Sequence, residues 1–128
     1  MKSDAFRTAA ENKDFNAAAD LFAEDVTFRS PFVHTPYEGL DAIKFLLGNV
    51  VQVFENFGYT GHTETDDLAV LEFKANVGDK QLQGVDILRF NEEGKISDMT
   101  VMVRPMSGLQ ALSGEMAKRM EATGVTPG

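Results

Sequence analysis

Residues 83–105 of this chain, QGVDILRF-NEEGK-ISDMTVMVRP, decide its fold. Two runs rich in β-branched and other apolar residues flank a short polar segment, and this pattern predicts a β-hairpin. Gly94 in the polar segment can adopt the positive φ that a short loop needs. The hairpin therefore predicts two long neighbouring strands in the second half of the chain.

Alternation along the first strand of the hairpin places its side chains on two faces. Asp86 shares one face with Leu88 and Phe90, while Val85 and Ile87 lie on the other. Because both faces are largely apolar, we expect both to be covered. A single carboxylate between large apolar side chains is the main chemical signal in the sequence, and we interpret Asp86 as the candidate catalytic residue.

Composition limits the possible classes of function. The chain has 128 residues, which fits one domain over residues 1–128. A net charge of −8 argues against nucleic acid or an anionic membrane as a partner. There is no cysteine, no long apolar span and no leader pattern, so we expect a soluble cytoplasmic protein. The two histidines lie far apart in the sequence, and we expect neither a metal nor another cofactor.

Hydrophobic periodicity predicts helices first and strands later. In the first half of the chain we predict two helices, over Ser3–Asn12 and from Asp14 through Phe22, then a strand over Asp25–Ser30 and an ordered loop over Phe32–Gly39. A long helix should follow from Leu40 to about Phe57, ended by Gly58. In the second half we predict four strands, over about Tyr59–Thr65, Leu68–Val77, Lys80–Phe90 and Ile96–Arg104, and a helix after Pro105. Segregation of this kind indicates an α+β domain whose curved antiparallel sheet packs on the long helix and leaves a pocket. A second copy of the chain could cover the other sheet face, so we predict a homodimer.

Three segments together resemble a known superfamily. They are Leu21–Phe28, Tyr37–Gly39 and Val85–Phe90, the last followed by Gly94-Lys95-Ile96. Their order and spacing resemble the nuclear transport factor 2-like (NTF2-like) superfamily, and within it the branch of ketosteroid isomerases and SnoaL-like polyketide cyclases. The resemblance implies a cone-shaped, cystatin-like fold with a pocket, but not a particular reaction, because one fold hosts many functions.

The ketosteroid isomerase pattern transfers only in part. In that family an aspartate before a proline is the general base, and here Ser30 precedes Pro31. A tyrosine of the first helix donates a hydrogen bond to the oxyanion, and Phe6 stands in its place. The second donor, a protonated aspartate in an Asp-x-x-Arg-Phe run, corresponds to Asp86. With one of three groups present, the resemblance argues against steroid isomerisation.

Two further relatives bear on the reaction. Limonene epoxide hydrolase has an arginine two residues before the matching aspartate, and here that residue is Gly84, so the pair that activates water is absent. The SnoaL-like cyclases need only one acid-base aspartate and an apolar cavity, which this sequence can supply. The loop over 30–39 also resembles SnoaL-like proteins without an assigned function.

Strand parity and the resemblance together give a set of candidate pocket residues around Asp86. The set is Phe6, Phe28, Ser30, His34, Tyr37, Leu88, Met99, Val101 and Val103. For Asp86 the alternative is a structural acid that is hydrogen-bonded to backbone or paired with a histidine or an arginine. For His34 the alternative is a loop histidine bonded to backbone. Hydroxyl groups of Ser30 and Tyr37 could serve either a ligand or the local structure.

Three functions remain open from the sequence. The chain could be a cofactor-free acid-base isomerase, cyclase or lyase that acts on a small apolar carbonyl compound through Asp86. It could instead bind a small apolar molecule without catalysis. It could also be a dimeric interaction domain with an incidental cavity.

Overall fold

The computed structural model of the chain describes residues 1–123, and it confirms the α+β architecture. The elements, in chain order, are α1 (Asp4–Glu11), α2 (Phe15–Ala19), β1 (Phe22–Arg29), β2 (Tyr37–Glu38), α3 (Leu40–Val53), β3 (Glu55–Thr65), β4 (Leu68–Val77), β5 (Lys80–Phe90), β6 (Ile96–Arg104) and α4 (Met106–Thr123). No helix within this part of the chain is long and apolar enough to cross a lipid bilayer.

The strands form one sheet in the order β2-β1-β6-β5-β4-β3. Neighbouring strands run antiparallel, except that β1 and β6 are parallel. Helix α3 packs against β1 and α4, and α4 also contacts β4, β5 and β6. The helices thus enclose the apolar core against one face of the sheet, which we call the inner face.

The predicted hairpin is β5 and β6, with the predicted boundaries. Gly94 in its loop has a φ of 78°, as the sequence requires. Asp86 pairs across the strands with Val101, and Leu88 pairs with Met99. The inner face of the hairpin is therefore apolar apart from Asp86.

Two predicted helix ends were wrong because sheet pairing prevails over helical periodicity. Helix α2 ends at Ala19, and Phe22 instead begins β1 beside Ile96 of β6. Helix α3 ends at Val53 rather than near Phe57, since Phe54 already has extended backbone angles and β3 begins at Glu55. Gly58, predicted to end the helix, lies inside β3.

The first turn of α1 is fixed to β3 by a polar network around the buried Ser3. Ser3 is fully buried, and its Oγ lies 2.6 Å from both His62 Nε2 and Glu64 Oε1. The backbone N–H groups of Lys2 and Ser3 also donate to the Glu64 carboxylate, at 3.0 and 2.9 Å. Glu64 therefore satisfies N–H groups at the start of α1, a role usually filled by a local capping side chain.

The opposite, outer face of the sheet has an apolar centre and a charged rim. Cross-strand pairing places Val70, Ile87 and Thr100 in one row, and Glu72, Val85 and Met102 in the next. The Met102 side chain is 55% exposed, although it lies in the middle of this face. Oppositely charged groups such as Arg29 and Asp98 border the apolar centre. The outer face therefore presents apolar side chains at the surface of the chain.

We propose that a second copy of the chain covers this outer face, and we expect Ile87→Glu to convert a dimer into a monomer. Burial of an unpaired charge in such an interface costs several kcal/mol. Sedimentation velocity at micromolar concentration measures the outcome. Asn16→Glu, an exposed substitution on α2, is the matched control and should leave the dimer intact. A wild-type protein that sediments as a monomer would contradict the proposal.

Candidate functional site

A cavity of about 140 Å³ lies between the inner face of the sheet and the helices. Its wall is predominantly apolar and rich in aromatic rings from several elements. The rings include Phe6 of α1, Phe28 of β1, Phe54 after α3, Phe57 and Tyr59 of β3, and Phe73 of β4. Helix α4 closes another side with Leu112, Met116 and Met120. The chain therefore builds a small apolar chamber, as the fold class predicts.

Asp86 contributes a carboxyl group to the wall of this cavity. The residue is only 5% exposed. The Tyr59 hydroxyl donates a hydrogen bond to Asp86 Oδ2 at 2.7 Å. Within the described residues, Asp86 forms no ion pair, and its Oδ1 has no protein hydrogen-bond partner. Oδ1 is therefore available to a molecule in the cavity.

Burial determines the protonation of this pair. It raises the pKa of Asp86 from 3.8 to about 7, while the Tyr59 hydrogen bond lowers that pKa by a smaller amount. Burial, followed by the adjacent Asp86 carboxyl, raises the pKa of Tyr59 above its usual range, so the phenol stays protonated and donates. Near neutral pH both forms of Asp86 are populated, as an acid-base group requires.

Tyr59 was not among the pocket residues expected from the sequence. A buried carboxyl needs a hydrogen-bond donor, and the chain has only two tyrosines, so the composition did contain a signal. The contact could not be predicted from sequence spacing, because Tyr59 and Asp86 lie on strands that are not neighbours. Tyr59 of β3 lies opposite Phe73 of β4, and Asp86 of β5 lies opposite Leu71 of β4. The contact therefore spans a strand and follows from side-chain direction rather than from sequence spacing.

Gly84 explains how the rings fit around Asp86. It pairs with Phe73 on β4, and a side chain at position 84 would overlap the Phe73 ring and the carbonyl oxygen of Met102. With the Phe73 ring in this position, there is no room for an arginine or any other side chain at position 84. The absence of the arginine-aspartate pair predicted from the sequence has a steric reason here.

Most of the candidate pocket residues from the sequence come together around the cavity. Four that line it are apolar, namely Phe6, Phe28, Met99 and Val101. The Phe6 ring packs edge-on against Phe22 at a centroid distance of 6.1 Å, which orients it in the wall. The Phe6 side chain has no polar atom, so it cannot donate the hydrogen bond that a tyrosine at this position gives in the ketosteroid isomerases.

Ser30 and Tyr37 also line the cavity, near the loop that follows β1. Ser30 Oγ accepts hydrogen bonds from the backbone N–H groups of Phe32 and Val33 at 3.2 and 3.3 Å. It therefore organises the loop, where the isomerases have their base. The half-buried Tyr37 ring packs against Phe28 at 6.4 Å between ring centroids.

Three other candidates lie away from the cavity wall. Leu88 is fully buried in the core, and Val103 is a half-buried neighbour of that core. His34 is exposed in the loop after β1 and does not contact the cavity. The other histidine, His62, is half-buried and contacts Ser3 in the polar network at α1. No cluster of three metal-ligating side chains occurs within residues 1–123.

We expect Asp86→Asn to stabilise the fold increasingly as the pH rises from 4 to 7. Over this range the folded state retains the Asp86 proton more tightly than the unfolded chain, so wild-type stability falls, by roughly 4 kcal/mol at most. Above pH 7 both states are ionised, and the difference stays constant. Asparagine never ionises and can still accept the Tyr59 hydrogen bond. Thermal midpoints of the two proteins from pH 4 to 8 provide the measurement.

Asp79→Asn serves as the control, because this carboxyl is exposed in the turn between β4 and β5. It should shift the midpoint little at any pH in the range. If Asp86→Asn is instead destabilising at pH 7 and this loss shrinks toward pH 5, Asp86 is an ionised structural acid and the interpretation fails.

Comparisons with known proteins identify the family. Residues 4–99 match the SnoaL-like domain. A steroid delta-isomerase structure from Pseudomonas aeruginosa is 39% identical, with a TM-score of 0.90 over 95% of this chain and 90% of that one. An uncharacterised cystatin-like-fold protein from Silicibacter pomeroyi is 32% identical, with a TM-score of 0.89 over 94% and 85%.

A more distant structure extends the likeness in fold alone. It is a hypothetical protein from Catenulispora acidiphila with a ketosteroid isomerase-like fold, crystallised with trimethylamine, at 20% identity and a TM-score of 0.65 over 89% and 92% of the two chains. No curated protein matched the sequence. The matched domain and the cone around Asp86 lead to one conclusion: this chain belongs to the SnoaL-like family of the NTF2-like superfamily.

Proposed function

We propose that this protein binds a small, largely apolar carbonyl compound in the cavity and exchanges a proton with it through Asp86. The observation that carries the proposal is the free Oδ1 of a carboxyl held by Tyr59 in a predominantly apolar wall. A carboxyl in such a position can donate to a carbonyl oxygen when neutral and remove a proton when ionised.

The chemistry needs no cofactor. Ionised Asp86 removes a proton from the carbon beside the carbonyl, which leaves an enolate and a neutral carboxyl. The neutral carboxyl then returns the proton to another atom of the conjugated system, and Asp86 is ionised again. During this exchange the Tyr59 hydroxyl donates its hydrogen bond to Oδ2 of Asp86. Isomerisation, cyclisation and elimination all share this first step.

A second candidate function is binding without catalysis. It is favoured by Phe6 and Ser30, which stand where the isomerases have a donor and a base, and Ser30 Oγ already accepts two backbone N–H groups. Exchange of the methyl protons of acetophenone in D₂O, followed by NMR, separates the two functions. Exchange that the wild type accelerates and Asp86→Asn does not indicates catalysis, whereas binding without exchange indicates a binder.

The binding proposal predicts a pH-dependent preference for acetophenone over α-methylstyrene, which has the same shape but no oxygen. Below about pH 7 neutral Asp86 can donate to the carbonyl, and acetophenone should bind about tenfold more tightly. Above that pH the carboxylate has no proton to donate, so the preference should disappear. Calorimetric titrations at pH 5.5 and 8.5 measure it.

Asp86→Asn should remove the pH dependence in the same titrations, because an amide donates equally at both values. Equal affinities of the wild type for the two compounds at pH 5.5 would refute a role for the Asp86 proton.

We also expect negligible isomerisation of a Δ5-3-ketosteroid, although one relative is described as a steroid delta-isomerase. Phe6 has no hydroxyl to donate, and Ser30 cannot replace a carboxylate base. The ultraviolet absorbance of the conjugated product provides the assay. Turnover that Asp86→Asn abolishes would show that other groups of the cavity replace the two missing ones.

A further inference from the structure

The size of the cavity limits its ligand. Its volume is about 140 Å³. An apolar protein cavity of about 150 Å³ holds a benzene molecule, while pockets for drug-sized ligands usually measure about 300 Å³ or more. The space near Asp86 therefore matches one six-membered ring with a small substituent better than a fused-ring skeleton.

The chemistry of the wall favours an aromatic ring. Phe57 packs edge-on against Tyr59 at 5.0 Å and is tilted against Phe73 at 5.2 Å, both measured between ring centroids. Phe54 stacks on Phe57 at 5.5 Å. Rings arranged in this way present faces and edges to which a further ring can pack in offset or edge-to-face geometry.

The polar groups of the wall limit the number of polar atoms in the ligand. Tyr59 donates to Asp86, the Ser30 hydroxyl accepts two backbone N–H groups, and Asp14 caps α2 through the N–H of Ala17. The Lys13 ammonium donates to a backbone carbonyl at the end of α3, at 3.0 Å. Asp86 Oδ1 has no hydrogen-bond partner among residues 1–123 and is available to a ligand, and the hydroxyl-bearing residues Tyr37 and Ser113 also line the cavity.

We propose that the ligand is a monocyclic aromatic compound with one oxygen-bearing substituent, seated with its oxygen at Asp86 and its ring among Phe54, Phe57 and Phe73. This proposal rests on the proposed function for the position of the oxygen, while the size limit and the aromatic preference follow from the cavity itself. A fused-ring compound exceeds the volume of about 140 Å³, so we expect it to bind less tightly.

Three ketones of different shape test the proposal by calorimetric titration of the wild-type protein at pH 5.5. Acetophenone should bind at least about tenfold more tightly than 2-acetonaphthone, which adds a fused ring, since overpacking a filled cavity is unfavourable. Acetophenone should also bind at least about threefold more tightly than methyl cyclohexyl ketone, whose saturated ring lacks a π face. Equal or tighter binding of 2-acetonaphthone would overturn the size limit, and equal binding of the cyclohexyl ketone would overturn the aromatic preference.

Variants of the wall supply the second measurement. Met116→Ala shortens a buried side chain of α4 that lines the cavity, and Val101→Ala does the same from β6 with a smaller loss of packing. Either variant should improve the affinity for 2-acetonaphthone relative to acetophenone. Thr60→Ala, an exposed change outside the cavity, should leave the ratio unaltered. An unchanged ratio in both folded cavity variants would overturn the size limit.

The two proposals fail in different ways. If the ring-size order holds but acetophenone and α-methylstyrene bind equally, the role of the Asp86 proton is refuted and the size limit stands. If acetophenone keeps its pH-dependent advantage but 2-acetonaphthone binds as tightly, the proposed function stands and the single-ring limit is refuted.

Discussion

The hydrogen bond between Tyr59 and Asp86 is the interaction around which the cavity is built. A carboxyl that is only 5% exposed would be unfavourable in an apolar wall without a donor. Tyr59 satisfies one oxygen at 2.7 Å and leaves the other to the cavity. Because burial raises the pKa of Asp86 to about 7, the carboxyl can be neutral in this predominantly apolar cavity near physiological pH.

The wall opposite the sheet depends on a second polar network. Ser3, His62 and Glu64 attach the start of α1 to β3, and this attachment positions Phe6 against the cavity. Burial acts to raise the pKa of Glu64, but hydrogen bonds from Ser3 and Lys2 outweigh it and hold that pKa below its ordinary value. The helix is thus fixed by a charged acceptor from another element, which favours a preformed cavity.

Relatives with the same cone can differ in chemistry through a few positions of the wall. Phe6 and Ser30 remove a donor and a base that the steroid isomerase resemblance would require. At position 84, where the epoxide hydrolase resemblance would require an arginine, Gly84 leaves room for the Phe73 ring. What remains is a predominantly apolar chamber with the Asp86 carboxyl in its wall.

The sequence by itself determined the hairpin, the boundaries of β4, β5 and β6, and the inward face of Asp86, because alternation and turn residues act locally. Only the tertiary structure decided where α2 and α3 end, since strand pairing of Phe22 and Glu55 competes with helical periodicity. It also decided the partner of Asp86. Tyr59 lies 27 residues away and reaches the carboxyl across β4, a contact that depends on sheet register and side-chain direction, which no local pattern encodes.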